Sequence, residues 1–197
     1  AEYSIVKQTF QEASDALAYD VWNLVSNGPE ERLNQTDRTQ PIMLTAGIAM
    51  WRVWQSVSDI KPVYFAGHSL GEYTALVAAD AIDFTDAVKL VELRGQYMQQ
   101  AVPAGEGAMA AILGLDDDVV REVCNEASAA GVVEAVNFNS PGQVVIAGSA
   151  EAVKKATEIA SDKGAKRALI LPVSVPSHCA LMQPAAEQLA NKLNEID

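Results

Sequence analysis

The sequence predicts an α/β protein built in two parts, and two stretches carry that prediction. In Lys61–Ala79, KPVYFAGHSLGEYTALVAA, an apolar run (Val63, Tyr64, Phe65, Ala66) stops at Gly67. Apolar residues then resume at helical spacing through Tyr73, Ala75, Leu76, Val77 and Ala78, so a strand is expected to turn sharply into a helix. From Gly107 to Leu171 the apolar period switches repeatedly, in the order β-α-β-β-α-β. The first stretch suits an α/β-hydrolase-like main domain over residues 1–106 and 173–197, and the second a ferredoxin-like subdomain inserted at 107–172.

The elements follow in order. Ile5, Val6, Phe10, Ala13 and Leu17 place an amphipathic helix over Ala1–Ala18. Tyr19–Leu33 reads as a short helix, a turn at Asn27-Gly28-Pro29 and one further helical turn. Thr39-Gln40-Pro41 is expected to open a longer helix with Pro41 at its first position and a buried face of Ile42, Leu44, Thr45, Ile48, Ala49, Val53 and Trp54. Gln40 then reads as a polar residue at a helix start, the alternative being that it faces the floor of an active site. After the elbow, Asp83 or Thr85 caps a helix over Asp86–Ala101 that buries Ala87, Leu90, Val91, Leu93, Tyr97 and Met98.

In the second part, strands are expected at Gly107–Leu113, Val132–Phe138, Gln143–Ala147 and Lys166–Leu171, with helices at Asp117–Ala129 and Ala150–Asp162. Asn139-Ser140-Pro141-Gly142 reads as the turn between the middle strands. Pro176 forces an extended approach to His178, and the chain becomes helical from Ala180.

Gly67-His68-Ser69-Leu70-Gly71 has the G-x-S-x-G spacing of a nucleophile elbow, which lifts one serine hydroxyl above a sheet. Its glycines allow close packing on both flanks. Ser69 stands at a helix N-terminus, where the Leu70 N–H can hold an oxyanion; as an alternative, Ser69 is an ordinary helix cap. A serine nucleophile needs a base, and the chain has two histidines. His68 adjoins Ser69 and projects differently, which leaves His178. Cys179, beside His178, has nothing to lower its pKa and reads as a buried thiol. Arg94 lies on a mostly apolar helix and, read alone, is a salt-bridged residue with Glu92 within reach.

Composition narrows the partners. The chain has 197 residues, 49% hydrophobic and 20% charged, enough for a substantial core. Fourteen basic against 26 acidic side chains give a formal charge of −12, which argues against a nucleic-acid partner or an anionic membrane surface. A polyanionic ligand such as coenzyme A would need a local basic patch, for which Lys163, Lys166 and Arg167 are candidates. Cys124 and Cys179 are too few for a disulfide framework, and two histidines without paired spacing give no metal site. No apolar run is long enough to span a membrane, so a cytoplasmic location is expected.

The motifs GHSLGEYTALVAA, AVKLVELRGQYMQQAVP, NFNSPGQVVIAG and PVSVPSHCALMQPAAEQL, in this order, resemble the bacterial malonyl-CoA:acyl carrier protein transacylases over nearly the whole chain. The resemblance implies transfer of malonyl from malonyl-CoA to the phosphopantetheine thiol of acyl carrier protein in fatty acid biosynthesis, through a Ser69 acyl-enzyme, with no resident cofactor or metal. It also implies that His178 is the base, that Arg94 of the Arg94-Gly95 dipeptide pairs with the malonyl carboxylate, and that Asn137 and Asn139 lie near the cleft. The family's opening strand ends in a loop close to F-P-G-Q-G-S-Q, whose glutamine amide is a second oxyanion donor. That loop and the family's C-terminal region do not occur in this sequence, so the expected hydrolase-like domain is incomplete: either the chain is truncated or it cannot complete the oxyanion hole. The alternatives are a serine thioesterase or esterase, an acyltransferase domain of a multidomain synthase, and a non-catalytic acyltransferase fragment that only binds partners.

Overall fold

The computed structural model describes residues 3–173 and 175–195. Ser174 and the first two residues of the expected opening helix lie outside that description. The chain divides into two compact units, Ala1–Gln96 with Leu189–Asp197, and Tyr97–Gln188. The whole is of mixed α/β class, helices with an antiparallel sheet.

In the first unit the described secondary structure is helical. α1 (Ser4–Leu17) ends where Ala18 turns left-handed at φ 58°. α2 (Val21–Asn27) is capped by Asp20, whose carboxylate accepts from the Asn23 N–H at 2.8 Å. After Gly28-Pro29 come α3 (Glu30–Leu33) and the long α4 (Thr36–Val57). Phe10, Ala13, Val21, Leu44, Ile48 and Ala49 form the core here with Phe84, Ala87, Val88 and Val91 of α6 (Phe84–Ala101). Leu44 and Ile48 are fully buried, and truncating either to alanine would cost about 2–5 kcal/mol.

Several boundaries differ from expectation. α4 begins at Thr36, so Pro41 is its sixth residue and not its first. Asp37 in the first turn favours the helix dipole, and the earlier start leaves Pro41 to interrupt one main-chain bond. α6 starts at Phe84, with the Asp83 carbonyl accepting from Ala87, so Thr85 lies inside the helix and does not cap it. Trp54 is 44% exposed rather than part of the α4 face.

The expected strand at Val63–Ala66 does not form. The segment makes no ladder bonds, and Val63 and Tyr64 are 83% and 89% exposed. A strand exists only by pairing, and none of the described strands lies in this unit. Phe65 is tethered by an edge-to-face contact with Trp51, ring centroids 5.2 Å apart. α5 (Leu70–Ala78) likewise buries none of its residues fully, because it packs one side on α4 and the same core.

The second unit holds β1 (Gly107–Leu113), α7 (Asp117–Ala127), β2 (Val133–Ser140), β3 (Gln143–Ser149), α8 (Ala150–Asp162) and β4 (Arg167–Ile170). The sheet order is β2-β3-β1-β4, antiparallel throughout. Ala110, Ile112, Val144 and Ile146 face Val120, Val123, Val153 and Ala156 of the two helices, while Met109, Val145 and Ala147 face Cys179 on the other side. The central strand β3 is therefore covered on both faces and reads as an unbroken apolar run. The hairpin turn is only Pro141-Gly142; Asn139 and Ser140 belong to β2. A 3-10 turn at Ala180–Met182 leads into α9 (Gln183–Leu193).

Candidate active site

Ser69 occupies the tightest point of the elbow. Its backbone sits at φ 53°, ψ −112°, a conformation L-residues avoid, and its side chain makes no capping bond to α5. The helix-cap alternative therefore does not describe it. Gly67 is required by close approach: a Cβ there would meet the Gly71 carbonyl carbon and oxygen at 1.9 Å. Gly71 is not required in the same way, since a Cβ at that position meets nothing within 4 Å. The expectation of tight glycines on both flanks holds for one only.

The first turn of α5 organises its N–H groups unevenly. Gly71 donates to the His68 carbonyl at 2.9 Å and Glu72 to the Ser69 carbonyl at 3.2 Å. Leu70, the first helical residue, stands at the positive end of the helix dipole.

Arg94 reaches this serine from α6. Its Nη2 donates to Ser69 Oγ at 3.2 Å, its Nη1 donates to Gln40 Oε1, and its guanidinium carbon lies 5.7 Å from the Tyr73 ring centroid. Ser69 and Tyr73 are one helical turn apart on α5, so one guanidinium touches the same helix face twice. Burial holds Arg94 below the ordinary arginine range, opposed chiefly by Tyr73, while burial pushes the Tyr73 phenol upward. Glu92 does not serve Arg94: it pairs with Arg38. No salt bridge to Arg94 forms among the described residues.

Gln40 turns inward to Arg94, which favours the alternative to its reading as a helix-start polar residue. It is 6% exposed and lies one helical turn before buried Leu44, on the inward face of α4. A polar residue at i−4 from a core position was the available signal, hidden by the expectation that the helix began beside it.

His178, Asn137 and Asn139 belong to the second unit. His178 is exposed with φ 71°, directly before buried Cys179, and the Glu134 carboxylate accepts from the Ala180 N–H at 2.9 Å, fixing the loop that carries it. The Cys179 thiol donates to the Pro176 carbonyl at 3.1 Å and burial raises its pKa, the opposite of an activated thiolate. Burial pushes Cys124 up to about 11. On β2 the pairing with β3 slips between Ala135 and Asn137 and again between Phe138 and Ser140, so Asn137 adjoins one irregularity and Asn139 sits in the other. Lys163 is taken by Glu126 at 2.8 Å and Glu122 at 3.7 Å, and Lys166 packs along Gly114. Of the expected patch of Lys163, Lys166 and Arg167, Lys163 is thus engaged by neighbouring carboxylates.

Residues 5–197 match the acyl transferase domain. The chain is 61% identical over 196 residues to the malonyl CoA-acyl carrier protein transacylase of Escherichia coli K12, covering 100% of this chain and 63% of that protein. Against the Bacillus subtilis protein of the same description the identity is 47% over 192 residues, covering 97% and 60%. The solved malonyl CoA-acyl carrier protein transacylase of Coxiella burnetii superposes with TM-score 0.98 at 55% identity, covering 100% of this chain and 62% of that one. A malonyl-transacylase solved in complex with a type II PKS acyl-carrier protein superposes with TM-score 0.97 at 57% identity, covering 100% and 63%. The chain spans about 60–63% of the length of these curated relatives. With its serine elbow, its arginine on Ser69 and this likeness along its whole length, the chain belongs to the acyl transferase domain family.

Proposed function

We propose that the protein transfers a malonyl group from malonyl-CoA to the phosphopantetheine thiol of acyl carrier protein, as a cytoplasmic enzyme of fatty acid biosynthesis with no resident cofactor. One observation carries the proposal: a half-buried arginine, which forms no salt bridge among the described residues, is held 3.2 Å from the serine of a strained elbow. A planar guanidinium binds a carboxylate through two parallel bonds. Its position at the nucleophile suits a short acyl group that ends in a carboxylate.

In this mechanism His178 takes the Ser69 proton as Oγ attacks the thioester carbonyl. The Leu70 N–H holds the oxyanion, the C–S bond breaks, and the coenzyme A thiolate leaves with the proton from His178. Arg94 holds the malonyl carboxylate, and Asn137 and Asn139 border the substrate. His178 then deprotonates the phosphopantetheine thiol, whose sulfur attacks the acyl-serine carbonyl; the ester C–O bond breaks, and His178 returns the proton to Ser69 Oγ. The finer fold belongs to the same proposal: an α/β-hydrolase-like main domain over 1–106 and 173–197 and a ferredoxin-like subdomain over 107–172, the latter supported by the β-α-β-β-α-β order and the β2-β3-β1-β4 sheet.

Initial rates with malonyl-CoA and acyl carrier protein varied together test the reaction. Parallel double-reciprocal lines and negligible release of free malonate are expected from a transferase. Rapid hydrolysis without transfer would instead assign a thioesterase.

A further inference from the structure

Two cross-helix bonds join α4 to α6 in the same register: Arg38 to Glu92, and Arg94 to Gln40. Between them the helices touch backbone to backbone, since a Cβ on Gly95 would lie 2.5 Å from the Asp37 Cα and 2.7 Å from the Thr36 carbonyl oxygen. Helical geometry places the bonds on opposite sides of that contact. Around α6, Glu92 lies about 60° to one side of Gly95 and Arg94 about 100° to the other. Around α4, Arg38 and Gln40 flank Asp37 in the same manner, about 100° and about 60° away.

We infer that the Arg38–Glu92 pair is a positioning device that sets the roll of α6 on α4, and through it the reach of Arg94 to Ser69. Gly95 on Asp37 is a pivot, and a pivot alone leaves rotation about the helix axis open. The Arg38–Glu92 bond closes that freedom on the side away from the serine. The pair is mostly buried, with side-chain exposures of 22% and 19%, and Arg38 is further held 4.5 Å above the Tyr19 ring. Neither Arg38 nor Glu92 touches Ser69. Their effect falls on which acyl group is accepted, because a rolled α6 moves the guanidinium off the position a malonyl carboxylate needs.

The inference rests on the proposed malonyl transfer, and its test separates the two. Acyl-enzyme formation is measured by intact mass with malonyl-CoA and with acetyl-CoA in the unmodified protein, in Glu92→Gln, in Arg38→Met, and in the charge-exchanged Arg38→Glu/Glu92→Arg. Melting temperature is measured on each. The expected result is about a tenfold loss of malonyl preference in each single variant, a raised KM for malonyl-CoA with acetyl-CoA kinetics unchanged, and recovery of most of the preference in the exchanged pair. Unchanged preference in folded single variants overturns the positioning role and leaves malonyl transfer standing. Absence of any malonyl adduct on the unmodified protein overturns both. Should Arg38→Met unfold, Arg38→Lys, which keeps the charge but not the fork, is expected to lose preference by a smaller factor.

Discussion

Arg94 Nη2 donates to Ser69 Oγ at 3.2 Å, so the proposed nucleophile and the cation proposed to select its substrate are in direct contact. An incoming carboxylate can exchange a neutral hydroxyl partner for a charged one on the same guanidinium. Such a charge-assisted contact is worth about 1.5–3 kcal/mol. Arg94→Ala is therefore expected to lower kcat/KM for malonyl-CoA by about 10- to 150-fold while changing the acetyl-CoA value little. Arg94→Lys should recover only part of the loss, because an ammonium cannot donate two parallel bonds. Steady-state kinetics with the two substrates check this.

The elbow holds backbone strain at Ser69. Ser69 at φ 53°, ψ −112° lies where glycine is more comfortable. Ser69→Gly is expected to raise the melting temperature by about 2–4 °C, the equivalent of about 1 kcal/mol in a chain of this size, and to abolish acyl-enzyme formation. Calorimetry and intact mass on the same preparation read both halves.

The two elbow glycines should respond differently to alanine. Gly67→Ala drives a methyl into the Gly71 carbonyl, and a backbone clash of that depth should cost at least about 2 kcal/mol. Gly71→Ala fills open space inside α5 and should be neutral or stabilising by up to about 1 kcal/mol. Urea titrations of the two variants decide it.

Glu92 predicts a pH signature. Burial, the largest influence, raises its carboxyl pKa above 4.5, Asp37 acts in the same direction, and Arg38 opposes both. A folded-state pKa above the unfolded one means that this group's stabilising contribution is complete below the unfolded value and is lost as pH rises through the folded value. Glu92→Gln removes that loss. Melting temperature at neutral pH is therefore expected to hold or rise, and its slope with pH just above 4.5 to flatten, in the variant whose malonyl preference falls. Melting curves from about pH 4 to about pH 8 measure it.

Local pattern carried the reading where local pattern decides structure. The spans Gly107–Leu113 and Ala150–Asp162 are as the apolar periods place them, since period and turn residues suffice for a hairpin-and-helix unit that closes on itself. No strand forms at Val63–Ala66 because an apolar run makes a strand only when another strand accepts its bonds. Proline usually marks a helix start, whereas α4 begins earlier, at Thr36, which places Gln40 inside the helix and not at its start. Arg94 was legible as a residue but not as a contact. Its ties to Gln40 and Ser69 join positions 54 and 25 residues away, and no spacing within one helix announces them. Lys163 read as a free cation because its partners, Glu122 and Glu126, lie on α7, across from the end of α8.

The central claim is that Ser69 carries a malonyl group chosen by Arg94. Intact-protein mass spectrometry after brief exposure to malonyl-CoA or acetyl-CoA tests it most directly, on the unmodified protein, Ser69→Ala and Arg94→Ala. The expected result is a malonyl adduct that disappears with Ser69→Ala and loses its preference over acetyl with Arg94→Ala. A malonyl adduct that persists in Ser69→Ala, or equal malonyl and acetyl labelling of the unmodified protein, would contradict it.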